Sequence, residues 1–559
     1  MKISLIAFNC RYSHSCLALF YVRNELEKNF ASCASSIKQF TINDPYYETL
    51  LTIKDDQADA LFFSVYIWNA TYLCRLLNDL HCITPDIPIV LGGPQAPSLR
   101  EKLSFLPTVV HNQIEGVGPR FYQDLKNDAL QSDYWCCSIN TFAYPYKQED
   151  FQGELKNRNI YYESSRGCPF SCAYCLSSIS RGVLSKDIAH VKKELLGLLD
   201  QSPTNLRFVD RTFNANPERA LEIWRFIHDH PNNNCSFHFE IAPDLFTEEM
   251  FVFLEGIKKK QFQFEIGIQS TNQKTLQAVN RKMDLTKSFK AIERLTKIGT
   301  IDIHIDLILG LPAEDKESFA RSIREVLALQ PDYVQIGLLK VLPDTAILEK
   351  KQEFGIISCL EPPYQVMSTK WMDSQTLSTL YWLGECIETF YNKRYFKNFF
   401  SYVLSLDEDI FLFFTGLLRH CHHYNFFHLA KTQELMNIIL FSFIQIHHKT
   451  KIFREFLIYD WLLCGHRFLP DIFNEDLTIY KKFLFAHAEA EIDGLYTKTE
   501  RIFFFKKCVF FKFSTALVSH CHVSDTNSDL YVCFFIEKKH TTIAVLMPIN
   551  AAEAIPSIA

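Results

Sequence analysis

No stretch of this chain reaches about 18 consecutive apolar residues, the length a membrane-spanning helix requires, so no membrane segment is expected. The longest apolar run of note, Ile410 to Leu418, is too short and is flanked by Asp407, Glu408, Asp409 and Arg419. The opening Met1 to Phe8 is a brief apolar run ending at Asn9. It has neither the length nor the small-residue cleavage site of a secretory signal. Positive charge is not in excess: 58 Lys and Arg stand against 64 Asp and Glu, a net charge of −6. That balance gives no electrostatic reason to expect nucleic acid as a partner. No G-x-G-x-x-G occurs, so a nicotinamide dinucleotide site is not supported. The 18 cysteines lack the regular spacing of a small disulfide scaffold, and the expected setting is a reduced, cytoplasmic one.

What is present is size, apolar content and one dense cysteine cluster. The 559 residues, 48% of them hydrophobic with 49 Phe, suffice for three or four domains with real cores at about 150 residues each. Within Ser164 to Cys175, three cysteines fall in eight residues as C-x3-C-x2-C: Cys168, Cys172 and Cys175. Thiolates are soft ligands, and a short loop can wrap them about one metal centre. Three are fewer than the four ligands of a structural zinc or of an ordinary four-iron cluster. The nearest other cysteines, Cys137 and Cys235, are remote in sequence. The simplest reading is a cluster with one iron left open to a substrate or cofactor. A zinc site completed by a distant His, an electron-transfer cluster and an incidental grouping of cysteines are the alternatives.

With Tyr174 as its aromatic, the pattern C-x3-C-x-aromatic-C resembles the signature of the radical SAM enzymes. The resemblance implies that Cys168, Cys172 and Cys175 hold a [4Fe-4S] cluster and that S-adenosylmethionine chelates the fourth iron. One-electron reduction then cleaves it to a 5′-deoxyadenosyl radical. An electron donor such as flavodoxin or ferredoxin is implied as a partner.

Residues 1 to 135 alternate strand and helix patterns. Strands are expected at Lys2 to Phe8, Ser35 to Phe40, Ala60 to Ile67, Ile87 to Leu91 and Val109 to Ile114, with helices from Ser15 to Asn29 and Thr71 to His81. This is the pattern of a doubly wound, Rossmann-like sheet, with ligand sites at the carboxyl ends of its strands. Ahead of a radical SAM motif it resembles the cobalamin-binding domain of B12-dependent radical SAM proteins. The resembling pieces are Asn9 to His14, Ser64 to Asn69, Leu91 to Pro94 and the Glu115-Gly116-Val117-Gly118 turn. The implied cobalamin contacts are His14, Tyr66, Trp68, Gly92, Gly93, Glu115 and Gly116. The D-x-H-x-x-G motif that supplies an axial histidine elsewhere is absent. The last turn departs from G-E-G-E by ending in Pro119.

Residues 136 to 158 are polar and irregular and read as a linker. From 159 to 360 the alternation resumes as about six βα units, which fit the partial (β/α)6 barrel of radical SAM proteins, with functional groups at the carboxyl ends of the strands. Polar residues alternate along strands that otherwise read as buried: His238 and Glu240, then Glu265, Gly267 and Gln269, then His304 and Asp306. Alternation puts each set on one face, plausibly inward. The resemblance assigns Tyr174, Asp210, Glu240, Glu265, Gln269 and Asp306 to S-adenosylmethionine; no catalytic residue is assigned. The run Tyr162 to Ser178, together with Phe208 to Asn214, is similar to a subgroup of B12-binding radical SAM proteins with a DUF4080-like C-terminal domain of unknown function.

Residues 361 to 559 read as a mixed α+β domain. Helical patterns extend through Leu435 to His447 and Lys451 to Leu463, and strands are expected at Arg501 to Phe513, Asp529 to Glu537 and Thr541 to Met547. His420-Cys421-His422-His423 and His520-Cys521-His522 match no standard metal spacing. The whole reads as a three-domain α/β protein, and the resemblance implies a cobalamin-binding radical SAM enzyme, with methyl transfer from methylcobalamin as the largest single outcome of that class beside other radical rearrangements. The alternatives are a radical SAM enzyme without methyl transfer whose B12 domain is vestigial, or a non-catalytic iron–sulfur protein. The substrate is unknown.

Overall fold

Strand β1, Lys2–Asn9, is buried at every residue after Lys2. A strand covered on both faces belongs in the interior of a parallel sheet. The computed structural model places it there. Strands β2 (Ala34–Thr41), β3 (Ala60–Ser64), β4 (Ile89–Gly92), β5 (Thr108–His111) and β6 (Asp133–Trp135) join it in the order β2-β1-β3-β4-β5-β6. Every pairing is parallel. Helices Leu17–Asn29 and Pro119–Lys126 pack on one face, and Tyr46–Lys54, Ala70–Ile83 and Ala96–Arg100 on the other. The strand order reverses between β1 and β3, so their carboxyl ends flank the crevice where such sheets take ligands. Four elements go beyond the sequence reading: the helices Tyr46–Lys54, Ala96–Arg100 and Pro119–Lys126 and the three-residue edge strand β6.

The structure describes residues 1–30, 32–179, 182–231, 234–445, 449–491, 496–523, 530–537 and 540–546. It divides into two units, Met1–Asp315 with Gly337–Leu377, and Lys316–Ile336 with Ser378–Ala559.

Within the first unit, residues 136–158 are more than a linker. Phe142, Tyr146 and Leu155 are buried. Asp150 takes a two-pronged ion pair from Arg23, at 2.5 and 2.8 Å. Tyr146 donates to the Tyr161 carbonyl at 2.6 Å. Burying a charged pair is tolerable only where its hydrogen bonds are met, and Arg23 also reaches the Pro145 carbonyl at 3.1 Å. The polar composition of this segment concealed its packing.

The second sheet begins with β7, Ile160–Tyr162. Next comes an antiparallel hairpin of β8 (Ser165–Cys168) and β9 (Gly182–Ser185), which carries the cysteine loop. The loop does not follow β7 directly, because Cys168 ends a hairpin strand. Gly167 has φ +91°, and a side chain there would meet the Gly182 carbonyl at 2.2 Å, so only glycine permits this pairing. Strands β10 (Asn205–Phe208), β11 (Ser236–Glu240), β12 (Phe262–Gln269) and β13 (Asp302–Leu309) run parallel to β7 in the order β13-β12-β11-β10-β7. Gly337 and Leu338, the last residues of β14 (Tyr333–Leu338), also belong to this unit. Burial alternates strictly along β12 and β13. Outward residues pack on Trp224 of helix Pro217–His228, with ring centres 5.9 Å from Phe239, 6.0 Å from Phe262 and 5.3 Å from Phe264. That leaves the polar set facing inward.

The second unit carries helices Lys397–Ser405, Ile410–His423, Gln433–Ile444 and Thr450–Leu463. Their core is aromatic: Phe399, Phe413, Phe414 and Phe453 are buried. An antiparallel sheet of Cys508–Phe513, Leu530–Glu537 and His540–Leu546 follows. The strand expected over Arg501 to Phe513 is instead a helix, Arg501–Lys507, followed by a strand. Phe504 and Phe505 anchor that turn of helix in the core. Asp529, His447 and Met547, included in expected elements, lie outside the described residues. His420 bonds the Ser442 hydroxyl at 2.7 Å and His520 the Ser401 hydroxyl at 3.2 Å.

Candidate active site

Cys168, Cys172 and Cys175 are free thiols on a loop fixed at its middle from two sides. The Ala173 amide donates to the Val279 carbonyl at 2.8 Å, and the Ile347 amide donates to the Ala173 carbonyl at 2.9 Å. Asn280 Nδ2 donates to Ser171 Oγ at 2.7 Å. Cys168 Sγ lies 3.6 Å from Thr212 Oγ1. Arg281 Nη1 donates to Cys172 Sγ at 3.5 Å and reaches Tyr174 Oη at 3.3 Å, while its Nη2 donates to the Gly267 carbonyl of β12. Among the described residues no three His, Cys, Asp or Glu side chains converge as ligands of one metal ion. A cluster does not require that, because each cysteine holds a different iron. The donor set of three thiols on one clamped loop fits such a cluster.

Inside the barrel, His238 Nε2 lies 2.8 Å from Glu265 Oε2, and His304 Nε2 lies 3.2 Å from Asp306 Oδ1. Burial would raise Glu265, but the His238 hydrogen bond and the charges of His238, His304 and Arg207 outweigh it and hold the carboxylate low. Burial pushes Glu240 up to about 7 against the pull of Arg211, 3.6 Å away. Gln269 has φ 70° and folds over Gly267, with Oε1 lacking a hydrogen-bond partner among the described residues. Glu314 is pushed up to about 8 by burial and accepts from Ser270.

Asp210 stands apart from this group. It is 1% exposed and accepts from the Ser164 amide at 3.0 Å, Ser164 Oγ at 2.6 Å and Ser165 Oγ at 2.6 Å. Its carboxylate fixes the start of the cysteine hairpin rather than facing a ligand.

The residues assigned to cobalamin gather at the carboxyl ends of β1, β3, β4 and β5, but they differ in what they offer. Tyr66 and Trp68 stack at 4.3 Å, 7° from parallel. Trp68 donates to the Phe8 carbonyl at 3.2 Å and leaves 43% of its surface exposed. A side chain at Gly92 would meet nothing within 4 Å, whereas Gly93 (φ +100°) abuts the Val65 backbone and Gly116 abuts the Cys137 carbonyl. A flat aromatic pair beside an open glycine fits a large planar ligand. His14 bonds Tyr161 Oη at 2.5 Å. Glu115 pairs with Arg166 at 2.9 Å. Both are thus held by the barrel segment. The sequence reading missed Arg281, Arg166 and Thr212. Single polar residues in loops or hairpins have no periodic signature, and only the fold reveals their contacts.

Residues 162–326 match the Radical SAM superfamily, and residues 352–534 match a protein family of unknown function, DUF4080. Among curated proteins, tRNA-2-methylthio-N(6)-dimethylallyladenosine synthase of Rickettsia bellii (strain RML369-C) is 25% identical over 251 residues, covering 43% of this chain and 51% of that protein. The chain spans about half the length of the curated relatives it matches. Among solved structures, OxsB, a cobalamin-dependent S-adenosylmethionine radical enzyme with aqua-cobalamin bound, aligns with TM-score 0.56 at 13% identity, over 90% of this chain and 84% of that one. TsrM from Kitasatospora setae, a radical S-adenosylmethionine methyltransferase with tryptophan substrate and aza-SAM bound, aligns with TM-score 0.54 at 15% identity, over 67% and 82%. At these identities the likeness is one of fold.

Proposed function

We propose that this chain, in which a radical SAM domain precedes a DUF4080 domain, is a cobalamin-binding radical SAM enzyme that transfers a methyl group to a substrate held in its barrel. The observation that carries the reading is the clamped three-thiol loop with Arg281 bridging it to β12. In this reading residues 1–135 bind cobalamin, 136–158 fasten that module, 159–360 form the catalytic barrel and 361–559 the domain of unknown function.

When bound, the [4Fe-4S] cluster and S-adenosylmethionine supply a 5′-deoxyadenosyl radical and cobalamin carries the methyl group; the protein orients them. Cys168, Cys172 and Cys175 hold the cluster. Arg281 offers a buried cation beside Cys172, suited to the carboxylate of S-adenosylmethionine. Gln269 and Glu240 offer polar groups for its ribose. Tyr66, Trp68 and Gly92 make the platform for the corrin. A one-electron donor such as flavodoxin or ferredoxin supplies reducing power, and the setting is the cytoplasm. Among the described residues no helix is long and apolar enough to cross a membrane.

The test is anaerobic reconstitution with iron and sulfide, with hydroxocobalamin added and then removed by gel filtration. Absorbance and reduced-state EPR are recorded with and without S-adenosylmethionine. A retained corrin spectrum and an EPR change on adding S-adenosylmethionine support the proposal. A responsive cluster without retained corrin leaves a radical SAM enzyme with a vestigial first module. A cluster indifferent to S-adenosylmethionine points to a non-catalytic iron–sulfur protein. Replacing all three cysteines by Ala abolishes the cluster; about four irons per chain surviving in that variant defeats the assignment.

A further inference from the structure

The inward side chains of the barrel form rows set by strand register. Tyr161, Arg207 and His238 share one row across β7, β10 and β11. Glu240, Glu265 and His304 share the next across β11, β12 and β13. Asp306 stands opposite Gly267 in a third. Two residues along a strand rise about 6.6 Å, so the rows climb towards the carboxyl ends in steps of that size. Each carboxylate meets an imidazole: His238 with Glu265 at 2.8 Å, and His304 with Asp306 at 3.2 Å. The Glu265 charge also acts on Asp306, so the two carboxylate–imidazole pairs form one interacting cluster from His238 upward. His238 is 6% exposed, and its Nδ1 has no hydrogen-bond partner among the described residues. A buried, unsatisfied ring nitrogen at the foot of such a cluster is costly unless it is used.

We propose that His238, Glu265, Asp306 and His304 are an acid–base relay of the barrel, and that the substrate carries an ionisable N–H or O–H group whose proton this relay takes up. The inference rests on the radical SAM reading and names the substrate class for that same site. It departs from the sequence assignment of Glu265 and Asp306 to S-adenosylmethionine. Glu265 Oε2 already bonds to the His238 imidazole at 2.8 Å and Asp306 Oδ1 lies 3.2 Å from His304 Nε2, so a ribose hydroxyl would compete with those contacts.

The electrostatics agree. Burial and the nearby Glu265 charge push Asp306 up, against the pull of His304, while Glu265 is held low. In the proposed relay Asp306, the higher of the two carboxyls, is the one that keeps a proton and Glu265 the one that stays charged. The other charged groups beside them are Arg207 from β10 and Glu240 from β11, which Arg211 just beyond β10 approaches to 3.6 Å. In the transfer, the substrate X–H bond breaks and its electron pair stays on X. The proton forms an O–H bond on Asp306 while the proton already there moves to Glu265 or His304. The relay gains one positive charge as X loses one proton.

The test uses the full chain with Asp306→Asn, Glu265→Gln and His238→Gln. Infrared difference spectra between each variant and wild type are taken from pH 3 to 8, so that protonated carboxyls elsewhere, such as Glu240 and Glu314, cancel and the low Glu265 titration is reached. Asp306→Asn is expected to lose one protonated-carboxyl band. His238→Gln, which keeps the volume of the site, is expected to raise the Glu265 titration by about one pH unit. In reconstituted protein the EPR change caused by S-adenosylmethionine is expected to persist in Asp306→Asn and Glu265→Gln. A difference spectrum with no lost band, or an unmoved titration in His238→Gln, overturns the relay. Loss of the S-adenosylmethionine response in these variants returns the carboxyls to that cofactor and also overturns it. A wild-type cluster that ignores S-adenosylmethionine defeats the enzyme reading instead, and the infrared spectra still decide whether the shared proton exists.

Discussion

Arg166 lies two residues before Cys168, and its guanidinium is gripped on both sides. Nη1 is 2.9 Å from Glu115 Oε1, and Nη2 is 2.8 Å from Glu163 Oε2. The three side chains are only 11%, 10% and 18% exposed. The guanidinium carbon lies 4.5 Å from the Tyr21 ring centre and 4.2 Å from that of Phe142. Arg166→Met keeps much of the side-chain volume but leaves two carboxylates buried without their cation. Removing one partner of a buried pair costs about 3–5 kcal/mol. In a unit of a few hundred residues each kcal/mol moves the melting temperature by roughly 1–2 °C, so the expected drop is about 5 °C. The sign of the pH effect follows from the charges left behind. In the variant, burial favours the protonated forms of Glu115 and Glu163, which raises their folded-state pKa values. The deficit is therefore largest at pH 8 and shrinks as pH falls towards about 5. Circular dichroism melts of the cluster-free chain at both pH values decide the matter. A variant that melts within about 1 °C of wild type at pH 8, or whose deficit is the same at both, refutes the reasoning.

The glycines of the first module separate structural from ligand-facing roles. Gly116→Ala puts a methyl 2.1 Å from the Cys137 carbonyl; a loss of about 1–3 kcal/mol in chemical denaturation is expected whether or not corrinoid is present. Gly92→Ala enters open space, so its stability should stay within about 0.5 kcal/mol of wild type. Its retention of hydroxocobalamin through gel filtration should fall. Full retention in that variant removes Gly92 from the corrin platform.

The inward polar set was legible because strands alternate with period two: His238, Glu265, His304 and Asp306 sit among buried Phe and Ile at that period. The cysteine loop was legible from spacing. What spacing cannot carry is pairing. Asp210 follows a strand as a ligand-binding residue would, yet the two serines of the cysteine hairpin claim it. Glu115 and His14 lie in loops after strands, yet Arg166 and Tyr161 hold them. Residues 136–158 looked like a tether because they have no period, although irregular chain packs as well as regular chain once its buried polar atoms find partners. The Arg501–Lys507 helix was hidden by its own phenylalanines, which suit a strand as well as a helix in so short a run.

The segment that carries Asp150 also bears on how the chain is made. A ribosome delivers the first sheet before any of its fasteners, since Arg23 emerges long before Asp150, and Gln39 before Glu154, whose carbonyl it bonds at 3.1 Å. Domains tend to fold in order of synthesis, but here the nascent sheet holds an unmatched guanidinium until residue 150 is clear of the exit tunnel. The first module thus completes itself only when the barrel has begun to appear.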